Sequence, residues 1–302
     1  MRSALRHLRT RFARAGRILL QREWAGRNMT VFPDDVFLVS YPRSGNTWMR
    51  FLVGNLIWPD DPITFANIEA RIPYVDLHSD RLLLSLPRPR IFKSHESFFS
   101  RYQRVIYIVR DPRDVAISYY HYLVKYRELA EDSDLSAFVT RFIPNETFEA
   151  QHGPWADHVM SWVEMRGGQA GFLLVRYEDL IEDANREMGR VANFLGVAAG
   201  AERVSRAVSL ASVGRMRTLE KSEGRLWKTT KRSRQDKPFV RSATSGQWQE
   251  VLSRESVAEI ETAWWSAMQA LGYSLTTRTA DLTAVRRDIL PALSRAEHSP
   301  VG

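Results

Sequence analysis

With 302 residues, 44% of them hydrophobic and 26% charged, the chain has an ordinary globular composition and is long enough for one large core. It has no cysteine, which excludes disulfides, a thiolate nucleophile and any cysteine-ligated metal. The net charge of +8 is unevenly spread. Residues 1–28 hold eight arginines against one acid, Glu23, so +7 of it lies in an N-terminal arm and the body is close to neutral.

Within that arm, Leu5, Leu8, Phe12, Ala15 and Leu19 share one face of a helix predicted over 3–24, with arginines around the rest. Residues 1–30 therefore read as a basic amphipathic arm. It suits packing on the body or a partner, or peripheral contact of residues 1–28 with an anionic membrane. An arginine-rich, acid-poor arm is also the pattern of a mitochondrial presequence. Nucleic acid is not expected, because no aromatic platforms interleave the arginines. No run reaches the roughly 18 apolar residues of a transmembrane helix. Ile18-Leu19-Leu20 is too short for a signal-peptide core, so the expected location is cytoplasmic.

Strands are predicted over 36–41, 90–93, 104–109 and 171–176. Helices are predicted over 46–57, 112–127, 134–143, 154–167, 179–195, 201–209 and 254–271. The alternation predicts an α/β fold, a central parallel β-sheet flanked by helices on both faces. Residues 59–90, with prolines at 59, 62, 73, 87 and 89, interrupt it irregularly, and the polar, basic stretch 221–245 reads as a mobile segment. One domain over 31–275 and a tail over 276–302 follow the arm. The sequence carries no signal for oligomeric state.

The apolar run Val36–Ser40 leads into Tyr41-Pro42-Arg43-Ser44-Gly45-Asn46-Thr47-Trp48 and then the periodic run Met49–Ile57. Strand, tight loop and helix in that order aim free backbone N–H groups at one point, where the helix dipole favours an anion. Gly45 permits close approach, and Arg43, Ser44 and Thr47 add donors. The loop lacks the Gly-Lys pair of a nucleotide P-loop. The strand over 104–109 ends in Arg110-Asp111-Pro112-Arg113-Asp114. Asp111 leaves a metal open there, but the arginines suggest a second anion bound directly. Arg110 can fork onto a phosphate and Ser118 can donate its hydroxyl. Lys93-Ser94-His95 closes the strand over 90–93, at a carboxyl end where open α/β sheets place their chemistry. A histidine there can serve as a general base. Phe239 to Trp248 reads by composition only as a basic turn anchored by a tryptophan.

Taken in order, these segments resemble the sulfotransferases that use 3′-phosphoadenosine 5′-phosphosulfate (PAPS), and the cytosolic branch more than the Golgi carbohydrate branch. The family's Tyr-Pro-Lys-Ser-Gly-Thr-Thr-Trp loop is matched with Arg43 for the lysine and Asn46 for a threonine. Arg110, Arg113-Asp114-Val115 and Ser118-Tyr119-Tyr120-His121 match the second motif. Lys93 and His95 match Lys-x-His, and Tyr177-Glu178-Asp179 matches a further segment. Of Arg-Lys-Gly-x-x-Gly-Asp-Trp, Arg241, Gly246 and Trp248 are kept, while Ser242 and Ala243 depart.

The resemblance implies a P-loop-like fold over about residues 36–270. It implies a PAPS-dependent enzyme that releases adenosine 3′,5′-bisphosphate (PAP) and needs no metal. Arg43, Ser44, Gly45, Asn46 and Thr47 would hold the 5′-phosphosulfate. Trp48 and Tyr177 would hold adenine, with Ala211, Ser212 and Val213 as weaker matches. Arg110, Ser118 and Arg241 would bind the 3′-phosphate. Ser242 and Ala243 of that cradle lack the family's lysine charge and glycine freedom, so either part of the grip passes to Lys228, Lys231, Arg232 or Lys237 or these form a solvated loop. His95 would be the base, with Glu96 second in line, and Arg43 and Lys93 would stabilise growing charge. The acceptor would be a hydroxyl or amine of a small molecule, glycan or lipid, walled by residues from 59–90, 119–155 and 214–240. Tyr74, Tyr119, Tyr122 and Phe148 are candidates for that wall. The rival readings are a nucleotide-dependent phosphotransferase and a non-catalytic interaction protein on the same scaffold.

Overall fold

The computed structural model describes residues 25–146 and 150–277. The helix predicted over 3–24, Phe148 and nearly all of the tail lie outside the described residues.

Four apolar runs rich in β-branched and aromatic residues form the strands β1 (Val36–Ser40), β2 (Ile91–Ser94), β3 (Arg104–Val109) and β4 (Phe172–Arg176). They pair in parallel in the order β2-β1-β3-β4. Side chains alternate across the sheet. Phe37, Val39, Phe92, Val105, Tyr107 and Val109 face one core, shared with the helices Pro112–Lys125, Leu135–Phe142, Trp155–Arg166 and Arg254–Ala270. Val36, Leu38, Ile91, Ile106, Ile108 and Val175 face the other, shared with the helices Asn46–Ile57, Ala184–Leu195 and Ala201–Leu210. Both faces are covered, so the strands read as continuous apolar runs rather than as alternating ones. β1 sits at the switch point: the chain leaves it for β2 on one side and returns to β3 on the other. The loop after β1 therefore opens into the crevice where such sheets bind ligands.

The structure departs from the sequence reading at identifiable places. β2 begins at Ile91 because Arg90 is spent on a buried pair with Asp35, Nε to Oδ1 at 2.8 Å, at the entrance to the sheet. The helix predicted over 179–195 is two, Tyr177–Glu182 and Ala184–Leu195. They break at Asp183, whose extended backbone (φ −148°) lets its carboxylate cap the second by accepting from the Arg186 amide. The stretch 221–245, read as mobile, is anchored. Trp227 is buried, packs on Phe65 and donates to Glu69 at 3.0 Å. The helix Val213–Glu223 precedes it. Its apolar periodicity is weak, because Met216 is its one buried residue.

Candidate active site

The loop after β1 is shaped by two left-handed residues, Arg43 (φ 69°) and Gly45 (φ 99°). Gly45 is the N-cap of the Asn46–Ile57 helix and supplies no side-chain cap, so the opening amides are left for a ligand. A Cβ at Gly45 would lie 2.6 Å from Cδ2 of Tyr177, so the glycine is required by both conformation and space. Asn46 turns inward. Its amide donates to the Leu38 carbonyl at 2.9 Å and the Ser40 hydroxyl at 3.3 Å, which ties the helix start to β1.

One cavity of about 340 Å³ collects most of the predicted residues. Arg43, Gly45, Asn46, Thr47 and Trp48 reach it from the β1 loop, and Lys93 and His95 from the end of β2. Arg110 and Ser118 enter after β3, Tyr177 after β4, and Arg241, Ser242 and Ala243 from the late loop. Ser44 is absent from the lining. It is buried beneath the loop with its hydroxyl unpartnered.

Three guanidiniums converge there. Arg43 lies between the rings of Tyr122 (4.8 Å) and Phe239 (4.6 Å), with Nε 3.4 Å from the Ser118 hydroxyl. Arg110 stacks on Tyr177 at 4.3 Å and donates to the Thr244 carbonyl at 2.9 Å, while its buried Nε has no partner. Burial, then repulsion from Arg43 and Arg110, lowers the Arg241 guanidinium to about 10. Cations held together against their own repulsion, with an orphaned buried N–H and uncapped helix amides, fit a ligand bearing two anionic groups. Beside them Trp48 donates to the Ala211 carbonyl at 3.0 Å and meets Tyr177 edge-on at 5.6 Å. With Val213 and Met216 these rings form an apolar side to the cavity.

His95 is held at both ends. Its Nδ1 lies 2.7 Å from the Ser40 carbonyl, which can only accept, so Nδ1 carries the proton and Nε2 keeps its lone pair. Burial, then the charge of Lys93, pushes its pKa well below the ordinary histidine value, so the ring is neutral at physiological pH. The Trp155–Arg166 helix grips the backbone around it. His158 Nε2 donates to the His95 carbonyl at 2.9 Å, Trp162 Nε1 donates to that of Glu96 at 2.9 Å, and the Phe98 amide donates to Ser161 at 3.0 Å. The Tyr107 hydroxyl lies 2.8 Å from Nδ1 of His158 and donates to it, since Nε2 holds that ring's proton. Lys93 places its ammonium 4.1 Å from the centre of the Tyr74 ring. Glu96, the second candidate base, is absent from the cavity lining and pairs with Arg27 at 2.6 Å.

Contacts between segments distant in the chain hold this site in place. Asp114 accepts from the amides of Gly246 (2.7 Å) and Trp248 (3.1 Å), joining the second motif to the last. Asp111, the carboxylate that left a metal open, turns both oxygens on Arg113. Glu220 accepts from the amides of Phe239 (2.5 Å) and Val240 (2.8 Å), and Lys125 donates to the carbonyls of Arg234 (2.8 Å) and Lys237 (2.5 Å). These contacts set the loop that carries Phe239 and Arg241. Ala243, where the resemblance expects glycine, nevertheless adopts φ 50°. Asp114 lay inside a matched motif and was legible in principle. Tyr122, a predicted wall residue, lines the cavity and flanks Arg43, as does Phe239 at the start of the late loop, whereas Glu220 carried no local signal.

The chain as a whole has known counterparts. Residues 33–272 match the family described as "Sulfotransferase domain". Sulfotransferase 2B1 of Mus musculus is 32% identical over 234 residues, covering 74% of this chain and 68% of that protein. Sulfotransferase 1E1 of the same species is 28% identical over 232 residues, covering 72% and 77%. Among solved structures, a retinol dehydratase in complex with androsterone and inactive cofactor PAP superposes with a TM-score of 0.68 at 20% identity, covering 85% of this chain and 86% of that one. A mouse sulfotransferase complexed with PAP gives 0.63 at 22% identity, covering 81% and 88%. The fold is thus that of sulfotransferases, and with a domain match across most of its length this chain belongs to the sulfotransferase family.

Proposed function

We propose that the chain transfers the sulfuryl group of PAPS to an acceptor hydroxyl, with His95 as general base. The observation that carries this reading is the shared cavity: a neutral histidine lines the same space as Arg43, Arg110 and Arg241. Bound PAPS would supply an activated sulfuryl group. Arg110, Ser118 and Arg241 would hold its 3′-phosphate, and the backbone amides of residues 44–47 with the Thr47 hydroxyl its 5′-phosphosulfate. Trp48 and Tyr177 would flank the adenine.

His95 would accept the acceptor's proton on Nε2 while Nδ1–H stays on the Ser40 carbonyl. Arg43 and Lys93 would stabilise the charge that grows as the bond to sulfur breaks. Arg43 cannot give up a proton, so it acts by charge and by its fork alone. The solved neighbours holding PAP support the donor. A cytoplasmic site of action is part of the same reading, and among the described residues no helix is long and apolar enough to cross a membrane.

The test is a thermal-shift comparison of PAP with Mg²⁺-ATP, followed by sulfuryl transfer from PAPS with and without His95→Ala. A ligand at 100 times its dissociation constant adds about 2.7 kcal/mol. Stabilisation by PAP alone, with transfer lost and PAP binding kept in His95→Ala, is the expected result. Preferential stabilisation by Mg²⁺-ATP would replace the reading with a phosphotransferase.

A further inference from the structure

The charge around the cavity exceeds what the donor needs. Among the described residues no aspartate or glutamate lines the cavity, whereas Arg43, Lys93, Arg110, Lys228 and Arg241 all do. In the proposed function Arg43, Arg110, Arg241 and Lys93 face the donor's phosphates and sulfonate. Lys228 lines the same cavity with Tyr74 and Thr229, and its ammonium donates to the Leu77 carbonyl at 2.9 Å. Asp76, next to Leu77 in the chain, is hydrogen-bonded to Tyr74, and burial raises its carboxyl above the ordinary range.

Lys228 belongs to a strongly basic stretch. Residues 213–237 carry nine lysines and arginines against three acids, a net +6, while the body from residue 29 onward totals +1 and is therefore −5 elsewhere. The three acids are engaged internally: Glu220 on the Phe239 and Val240 amides, Glu223 on the Ala66 amide, and Asp236 on Arg234. Arg225, Lys231 and Arg232, flanking Lys228 in consecutive turns, are exposed. Since this stretch walls the cavity through Val213, Met216, Lys228 and Thr229, its field is focused on the entrance.

From this juxtaposition we infer that the acceptor is a hydroxyl compound bearing its own anionic group, a carboxylate, sulfate or phosphate, held by Lys228 with Arg225, Lys231 or Arg232. An alkylammonium acceptor is disfavoured by the same cations. It would enter a cavity with no carboxylate among its described lining residues and would have to shed a proton before attack. The inference rests on the sulfotransferase reading and narrows its acceptor class.

A charge series on one phenol skeleton tests it: tyramine, 4-ethylphenol and 3-(4-hydroxyphenyl)propionate, assayed with PAPS and, in parallel, for binding to the PAP-loaded full chain. The anion is expected to exceed the neutral phenol about tenfold in kcat/KM or affinity, with the amine last, and the preference is expected to shrink as salt rises. Lys228→Gln combined with Arg232→Gln should bring the anion-to-neutral ratio close to one. Equal handling of the three compounds, or a variant that weakens all three alike, overturns the inference. So does binding of anionic vesicles that depends on Arg225 and Arg232 without any acceptor preference, which would assign the patch to a membrane. PAP binding without charge preference removes this inference alone, whereas failure of PAP to bind removes the sulfotransferase reading beneath it.

Discussion

The imidazole of His95 and the carbonyl of Ser40, 2.7 Å apart, join the ends of two neighbouring parallel strands through one side-chain hydrogen bond. Because that bond sets the tautomer and burial sets the charge, the pH behaviour of the site follows. As the proposed base, His95 must be neutral to work, and its pKa is depressed, so kcat should stay flat down through pH 6.5 and fall only well below it. A pH–rate profile with an acid limb at the ordinary histidine value would contradict the burial argument. His95→Ala should lower kcat by about 10²–10⁴.

The same burial governs stability. His152 is pushed down to about 4 and His158 to about 3, in each case chiefly by burial. A base whose folded pKa is depressed contributes fully above its unfolded value, about 6.5, and that contribution is lost as pH falls toward the folded one. Each of these two histidines should therefore cost on the order of 1–2 kcal/mol at pH 5 relative to pH 7. Denaturant midpoints at the two pH values check this, and a midpoint independent of pH would refute it.

Gly45→Ala should damage both fold and binding. The new Cβ would meet the Tyr177 ring at 2.6 Å and require φ 99° of an L-residue. A loss of about 1–3 kcal/mol in stability is expected, together with at least about tenfold weaker PAP binding by calorimetry. An unaltered PAP affinity would mean that Tyr177 moves aside freely.

Ala243→Gly runs the other way. Alanine at φ 50° is strained, and glycine relieves it. A gain of up to about 1 kcal/mol is expected from thermal or denaturant melts. Unchanged or lower stability would show that the loop relaxes without help.

At Arg43, replacement by alanine should lower kcat by roughly 10²–10³, the scale of one lost charge-stabilising donor. Arg43→Lys should remain active, because a lysine restores the charge. Near-zero activity in Arg43→Lys would show that the guanidinium held between Tyr122 and Phe239 is needed for its plane and fork.

What the chain determines locally was readable in its sequence. Apolar runs specify the strands, and 3.6-residue periodicity specifies most helices. A glycine between strand and helix marks the tight loop after β1, and Lys93 and His95 close a strand whose end faces the crevice. Each of these rests on neighbours within a few residues, where the physics of φ/ψ and periodicity operates. The tertiary structure alone decided that Asn46 serves the sheet and that Glu96 turns to Arg27. It also decided that His95 carries its proton on Nδ1, and that Glu220 and Asp114 hold the loop bearing Arg241. These outcomes depend on partners far apart in the chain that only closure of the sheet and its helices brings within hydrogen-bonding distance. A hydrogen bond is settled by distance and direction in space, and sequence spacing does not encode either beyond a turn or two.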